Sequence, residues 1–173
     1  MQDPDPRTVQ RARAGDLRSF EELVRTYQGE VYRFAWHLTR DRTLAEDVTQ
    51  DTFLRAFRFI RGYRGEQRFG SWLFAIARNC SMDALRANRV SPTDAEPVAR
   101  TTGDPSARVE LETALAAVSA EHREAFLLVE VFGLSYQEAS DVLGVAVGTV
   151  KSRMFRARQA LCLAIAGDEE ATT

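Results

Sequence analysis

The sequence predicts an all-α fold made of two small helical domains that a flexible linker joins. Apolar residues recur at helical spacing along most of the 173 residues, and no alternating strand pattern competes with them. Residues 91–107 contain three prolines and one glycine but almost nothing large and apolar, a composition typical of a linker. Two short helical segments around a Gly-containing turn, within residues 133–158, predict a helix-turn-helix. We therefore expect a first domain at 1–90, the linker at 91–107, a second domain at 108–166 and a disordered tail at 167–173.

The first domain should contain three amphipathic helices. The first starts near Asp16, where either Asp16 or Ser19 can serve as the N-cap. The second opens at Thr43, with Glu46 completing a capping box, and the third starts near Ser71 after a Gly-containing break. The apolar stripes of the three helices are, in order, Phe20, Leu23, Val24, Tyr27, Val31, Phe34, Ala35 and Leu38; Ala45, Val48, Thr52, Phe53, Ala56 and Ile60; and Leu73, Ile76, Ala77, Cys80 and Ala84.

The second domain should end in the helix-turn-helix. Ser135 and Glu138 form a capping box at its start, and its second helix should run through Arg158. Three residues of that second helix should face the domain interior: Val150, Met154 and Ala157.

Composition excludes several classes of protein. The net charge is −2 and the pI about 5.8, so no overall basic field attracts nucleic acid, although residues 1–90 carry +4 and residues 111–173 carry −4. No apolar run approaches the roughly 18–20 residues that span a membrane, and the N-terminus lacks a signal-peptide pattern. The two cysteines and two histidines are too few and too scattered for a disulfide framework or a metal site, and no Gly-rich phosphate loop is present. We expect a cytoplasmic protein that is not an enzyme and has no catalytic residue, metal or cofactor.

Basic residues cluster on the second helix of the helix-turn-helix. Lys151, Arg153, Arg156 and Arg158 face no acid within residues 151–158. One interpretation is a solvated helix face. The other is a DNA-reading helix, because the major groove admits a helix whose long basic side chains reach phosphates and base edges. The helix-turn-helix context favours DNA.

A second set of residues, Asp47, Gln50, Asp51 and Leu54, should share one exposed face of the second helix, opposite its buried stripe. Such a face either serves solubility or docks a basic protein partner, since paired carboxylates bind Arg side chains by bidentate hydrogen bonds. Spacing alone leaves both interpretations open.

A third set consists of five Arg residues between positions 55 and 68, followed by aromatic residues. This composition suits single-stranded nucleic acid, which it binds by phosphate neutralisation and base stacking. Phe69, Trp72 and Leu73 are expected to pack in the core, since a Trp at a helix start usually anchors packing, so Tyr63 is the aromatic residue that we expect to touch a ligand. Cys80 lies on an apolar stripe and is expected to be a small core residue.

Three blocks of sequence, in order over about residues 16–162, resemble segments of extracytoplasmic-function (ECF) sigma factors. Residues 45–56, AEDVTQDTFLRA, resemble the polymerase-binding segment of that family. Residues 69–79, FGSWLFAIARN, with Asp83 and Arg86, resemble its promoter-melting segment. GLSYQEA at 133–139 and GTVKSR at 148–153, followed by Arg156-Ala-Arg158, resemble its helix-turn-helix.

The resemblance implies a dissociable subunit that gives bacterial core RNA polymerase its promoter specificity. Docking on the clamp of the largest polymerase subunit would use Asp47, Gln50, Asp51, Leu54 and Arg55. Recognition and melting of the −10 element would use Arg61, Tyr63, Arg64, Gly65, Glu66, Arg68, Asn79 and Arg86. Recognition of the −35 element would use Thr149, Lys151, Ser152, Arg153, Phe155 and Arg156. The family also implies promoter DNA and a separate anti-sigma factor, often membrane-anchored, as partners, with no membrane insertion by the chain itself.

The chain departs from the family pattern at three positions. Asp51 stands where Glu is common, Tyr63 where Phe is frequent, and Ala146 where Pro often begins the recognition helix. Ala146 leaves that helix start with neither a Pro nor a good N-cap residue.

Other classes remain open on the sequence. An autonomous helix-turn-helix regulator would bind duplex DNA without polymerase, but its DNA-binding domain should be basic, whereas residues 111–173 are acidic. A sigma-like adaptor that only sequesters an anti-sigma factor would not need the basic set within residues 151–158. An enzyme has the least support, because no nucleophile–base pair or metal cluster is present.

Overall fold

The computed structural model describes residues 3–88 and 114–170 of the chain, with side chains as far as residue 164. These residues form helices and connecting turns, with no strand among them, and they divide into two compact units. The predicted all-α fold is confirmed. The predicted linker at 91–107 lies outside the described residues.

The described residues of each unit form helices joined by short turns. In the first unit these are α1 (Pro6–Arg13), α2 (Leu17–Thr39), α3 (Arg42–Phe59) and α4 (Phe69–Asn88), with a 3-10 turn at Ile60–Gly62. In the second unit, helical residues 114–117 precede α5 (Ala120–Phe126), a π turn (Leu127–Val131), α6 (Tyr136–Leu143) and α7 (Val147–Glu170).

The long helix α2 forms the centre of the first unit and packs against α1, α3 and α4. Its side chains Tyr27, Val31 and Phe34 are completely buried. The Tyr27 ring lies 5.5 Å from that of Phe69, and the Phe34 ring 5.2 Å from that of Phe74, measured between centroids. Large buried aromatic side chains such as these contribute most to the stability of a small core. Six of the eight residues of the predicted apolar stripe are buried, whereas Val24 and Leu38 are half-buried.

Helix α1 is absent from the sequence prediction. Asp5 caps it by accepting a hydrogen bond from the Arg7 backbone N–H at 2.9 Å, and Pro6 occupies the first helical position, where a missing N–H costs nothing. The helix buries Thr8, Val9 and Ala12 against its neighbours. Three buried residues in eight are too short a stripe to stand out as periodicity.

Two predicted helix starts are wrong in detail. Asp41, rather than Thr43, caps α3, with its carboxylate 2.9 Å from the Leu44 backbone N–H. The third predicted helix, α4, begins at Phe69, two residues before Ser71. At the start of α2, Asp16 is the cap; Ser19 instead donates its hydroxyl hydrogen to the Asp16 carboxylate at 2.7 Å.

Cys80 occupies the buried face of α4, as predicted. Only 2% of its surface is exposed, and burial raises the pKa of its thiol. A thiol in this state is a weak nucleophile, which is consistent with a packing role.

The helix-turn-helix of the second unit is formed by α6 and α7. The Ser135 hydroxyl accepts from the Glu138 backbone N–H at 3.2 Å, and the Glu138 carboxylate accepts from the Ser135 N–H at 2.7 Å, so the predicted capping box is confirmed. Gly144 ends α6 in the left-handed conformation, with φ of +66°, which favours glycine. The Ser140 hydroxyl then donates to the Val145 carbonyl at 2.5 Å and closes the turn.

Helix α7 is longer than the sequence predicts. It does not stop near Arg158 but runs to Glu170, so the predicted tail at 167–173 begins inside it, and residues 171–173 lie outside the described part of the chain. Val150, Met154 and Ala157 are buried as predicted. No helix in the described ranges is both long enough and apolar enough to cross a membrane.

The cap of α3 provides a stability test. We predict that Asp41→Ala lowers the free energy of unfolding of the first unit by about 1 kcal/mol, because the Leu44 N–H loses its acceptor. Thr43→Ala is the matched control, since Thr43 is exposed two residues away, and it should change stability by less than about 0.5 kcal/mol. Urea denaturation followed by circular dichroism measures both, and an equal loss at Thr43 would contradict the assignment.

Candidate nucleic-acid and partner-binding interfaces

The first candidate interface is the outer face of α7 in the second unit. Lys151, Ser152, Phe155 and Arg156 are all exposed, and Phe155 exposes 62% of its surface. Thr149 is half-buried and accepts a hydrogen bond from the Ser152 hydroxyl at its carbonyl, 2.9 Å away. Within the described part of the chain, neither Lys151 nor Arg156 forms an ion pair. Their charges are therefore available to an external ligand.

The other two cations of α7 form ion pairs with acids of the same unit. A terminal nitrogen of Arg153 lies 2.7 Å from a Glu121 carboxylate oxygen, and only 15% of the Arg153 side chain is exposed. Arg158 pairs with Glu130, and the hydrogen bond to that carboxylate raises the pKa of the Arg158 guanidinium. The sequence assigned Arg153 to the DNA-reading set; the structure instead directs it toward α5. Sequence reasoning missed Glu121 and Glu130 because they lie 32 and 28 residues from their partners.

The second candidate interface is the exposed face of α3, which we call the docking face: Asp47, Gln50, Asp51 and Leu54. All four side chains are exposed, and Leu54 exposes 49% of its surface. The structure brings them together on one side of α3, opposite buried residues such as Val48 and Thr52. These four residues therefore form one exposed surface, as their spacing predicts.

An apolar groove of about 720 Å³ runs beside the docking face, between α2 and α3. Phe20, Val24 and Tyr32 line it from α2, and Phe53 and Phe57 from α3. Phe57 packs edge-on against Phe20 yet leaves 46% of its surface exposed. The sequence prediction did not include this groove, although apolar residues at 54 and 57, off the buried stripe, were a signal for it.

Arg55, beside the docking face, forms an ion pair with a residue of another helix. Its guanidinium lies 3.0 Å from the carboxylate of Asp83 on α4 and 4.0 Å from that of Asp51. Asp83 also lies 2.7 Å from Arg86, one of the residues assigned to the −10 element. The hydrogen bond from Arg55 holds the pKa of the Asp83 carboxyl below its usual range. Asp83 thus connects the exposed faces of α3 and α4.

The third candidate interface is the Arg-rich loop at residues 61–68. Arg61, Arg64, Gly65 and Glu66 are exposed, and Gly65 has a φ of +76°, a conformation that favours glycine. Arg64 and Glu66 approach to 3.9 Å, a weak and solvated ion pair. On α4, Asn79 is also exposed.

Tyr63 differs from expectation. Only 9% of its surface is exposed, and its ring packs against those of Phe69 and Trp72 at centroid distances of 5.7 and 5.2 Å. Its hydroxyl donates to the Gln67 carbonyl at 2.5 Å, and burial raises the pKa of the phenol. Tyr63 therefore anchors the loop to the core instead of presenting a free ring. Phe69, as predicted, is buried, and Trp72 is half-buried.

Arg68, at the end of the loop, is also tied down. Its Nε donates to the carboxylate of Asp3 at 2.7 Å. Asp3 lies just before α1. Because the sequence analysis did not predict α1, it did not predict Asp3 as the partner of Arg68. The loop is consequently held at Tyr63 from α4 and at Arg68 from the N-terminal segment.

These features define a two-unit helical DNA-binding protein, with a helix-turn-helix in one unit and an Arg-rich loop beside an acidic docking face in the other. No group of three or more residues that could hold a metal ion occurs in the described ranges. Comparison with known protein families gives two matches: Sigma-70 region 2 at residues 23–90 and Sigma-70 region 4 at residues 108–161.

Relatives extend these matches over most of the chain. The sequence is 39% identical over 158 residues to the ECF RNA polymerase sigma factor SigC of Mycobacterium tuberculosis, covering 87% of this chain and 85% of that protein. It is 33% identical over 152 residues to SigM of Bacillus subtilis, covering 83% and 93%.

Two solved structures resemble the whole fold. The sigma factor RpoE of Bartonella quintana, in complex with the anti-sigma factor NepR, matches with a TM-score of 0.76 and 29% identity, over 87% of this chain and 98% of that one. CnrH, in complex with the cytosolic domain of CnrY, matches with a TM-score of 0.71 and 29% identity, over 93% and 96%. The chain belongs to the ECF family of sigma factors. It is an alternative sigma factor that binds core RNA polymerase and directs promoter-specific transcription initiation.

The anchoring of Tyr63 can be tested directly. We predict that Tyr63→Phe lowers the free energy of unfolding of the first unit by about 1 kcal/mol, because the hydrogen bond to the Gln67 carbonyl is lost while the ring packing stays. Tyr32→Phe is the matched control, since no hydrogen bond is recorded for the Tyr32 hydroxyl within the described ranges. Chemical denaturation measures both, and equal values for the two variants would contradict the anchoring role.

Proposed function

We propose that the three exposed surfaces divide the work of a sigma factor between them. The docking face of α3 binds the clamp of the largest polymerase subunit, the Arg-rich loop with α4 captures the −10 element, and the outer face of α7 reads the −35 element. The observation that carries this proposal is the separation of exposed charge. Asp47 and Asp51 lie exposed on α3, whereas Lys151 and Arg156 lie exposed on α7.

The docking face suits a protein partner and not DNA. Exposed carboxylates repel phosphates, but they bind Arg side chains of a partner by paired, charge-assisted hydrogen bonds. Leu54 and the groove beside it add apolar surface, which supplies affinity that surface charges alone do not. Arg55, held by Asp83, stiffens this face and takes a smaller part in contact than the sequence suggested.

The −10 element is captured after strand separation. Extruding one base costs a few kcal/mol in lost stacking and pairing, so a pocket that accepts only the extruded base favours the melted state. Arg61 and Arg64 are exposed cations that neutralise phosphates of the single strand, and Asn79 offers both a donor and an acceptor to a base edge. Tyr63 contributes by holding the loop in place rather than by stacking on the base. We also place Gly65, Glu66, Arg68 and Arg86 at this surface.

The −35 element is read as duplex DNA. Lys151 and Arg156 project from one face of α7 toward phosphates and base edges in the major groove, and Ser152 adds a short hydrogen-bonding group. Phe155 supplies an apolar contact of the kind that a thymine methyl group accepts. Thr149 is half-buried at the start of the helix, and we place it at the edge of this surface.

No bond needs to be made or broken by this chain in these steps. Promoter opening is driven by differential binding of the melted state, so the proposed mechanism needs no nucleophile, general base or cofactor. We further propose that the chain works in the cytoplasm and that a separate anti-sigma factor controls it, because the solved structures of RpoE and CnrH that it resembles are complexes with NepR and CnrY.

Docking is tested by run-off transcription with core polymerase. The wild-type chain should give a promoter-specific product, and Asp47→Ala combined with Asp51→Ala should abolish both that product and co-purification with core. Glu21→Ala is the matched control, since it removes an exposed carboxylate from α2 and should leave both unchanged. Duplex binding by the chain alone, with no stimulation of core, would instead support an autonomous regulator.

The role of Arg156 is tested on the −35 element. We predict that Arg156→Ala weakens holoenzyme binding by about 1–3 kcal/mol for the preferred −35 sequence and by less for altered ones, because a base contact discriminates. Binding titrations with a set of point-substituted −35 duplexes measure this. An equal loss on every duplex would restrict Arg156 to a phosphate contact.

A further inference from the structure

Helix α7 carries four cations, and the second unit pairs two of them with its own acids. Arg153 and Arg158 pair with Glu121 and Glu130, whereas Lys151 and Arg156 are exposed and form no ion pair among the described residues. Residues 153 and 156 are one turn apart and have the same chemistry. Their difference in environment is therefore set by the elements that α7 packs against.

The two acids lie at opposite ends of the element beneath α7. Glu121 is in the first turn of α5, where a negative charge also suits the helix dipole. Glu130 is in the π turn that follows α5, where the Phe132 N–H bonds to the Leu127 carbonyl five residues back at 2.9 Å. Leu127 and Leu128 anchor that turn in the core. Glu121 and Glu130 are therefore both carried by a segment whose backbone is fixed by packing.

Stability alone does not account for these pairs. Solvent-exposed ion pairs contribute about 0–1 kcal/mol each, and Glu121 exposes 71% of its side chain. Their geometric effect is larger. Successive residues of a helix are about 100° apart around its axis, so a modest roll of α7 would move Lys151 and Arg156 away from the direction in which they now project.

We infer that Glu121 and Arg153 form a positioning pair that sets the roll of α7, and thereby the −35 preference, without touching DNA. The inference rests on the proposed reading of the −35 element by α7. Glu121 has a second effect: it occupies Arg153, which would otherwise be a further cation for phosphates. Arg158 and Glu130 support the same orientation from the other end of α5.

The test uses holoenzyme reconstituted from core polymerase and the full chain, bound to a duplex library in which only the −35 hexamer is randomised. Arg153→Gln should reduce enrichment of the preferred hexamer about tenfold, the equivalent of one mismatched base pair. It should leave the slope of log affinity against log salt unchanged. Arg156→Gln, the matched variant one turn away, should lower the preference and also make that slope shallower by about 1, because the Arg156 guanidinium is proposed to reach a phosphate as well as a base edge. Arg153→Lys keeps the charge and should retain the preference.

Glu121→Gln tests the pair from its exposed side, where folding is not at risk. Enrichment should fall as for Arg153→Gln, while the salt slope becomes steeper by about 0.9 as the released Arg153 gains a phosphate. A shallower slope for Arg153→Gln would show that Arg153 is itself a DNA contact and would overturn the inference. So would unchanged enrichment in both variants. A wild-type holoenzyme that selects no hexamer would overturn the proposed −35 reading, a result distinct from either of these.

Discussion

The contact between Tyr27 of α2 and Phe69 of α4 is the constraint on which the first unit depends. Phe69 is the first residue of α4, and its ring also meets those of Tyr63 and Trp72. The Arg-rich loop is thereby attached to the most deeply buried part of α2 through consecutive aromatic contacts, each with its own packing energy. A loop held in this way presents its cations from a fixed position, which would lower the entropy lost in the proposed binding of single-stranded DNA.

In the second unit, ion pairs as well as core packing fix the orientation of the DNA-binding element. Core packing of Val150, Met154 and Ala157 seats α7, and carboxylates on the underlying element engage the cations on its flank. What remains outside is a short basic face on an acidic unit. The overall net charge of −2 then describes a chain with too little positive field to hold DNA tightly by itself. Such a balance fits a specificity subunit that depends on polymerase for most of its affinity.

The long elements were predictable because their stripes are long: α2, α3 and the start of α7 each show several turns of consistent spacing. Helix α1 was not, because it buries only three residues. Asp41 and Thr43 can both cap a helix, and the structure shows that α3 begins at the earlier of the two. Arg153 sits next to Met154 at the edge of the buried stripe, so spacing left its direction open, and its partner lies 32 residues away. Tyr63 was expected to be exposed because it lies in a loop, but its ring packs against Phe69 and Trp72, and these contacts cannot be foreseen from spacing.

The division of α7 into an inner and an outer face bears on how such proteins diverge. Residues 151, 152, 155 and 156 are exposed and carry none of the core packing, so their replacement costs little stability. Under the proposed reading of the −35 element, a copy that arose by gene duplication could change the DNA sequence it prefers through these few positions while the fold, the docking face and the Arg-rich loop stay as they were. New promoter sets could therefore arise by substitutions confined to about one and a half turns of one helix.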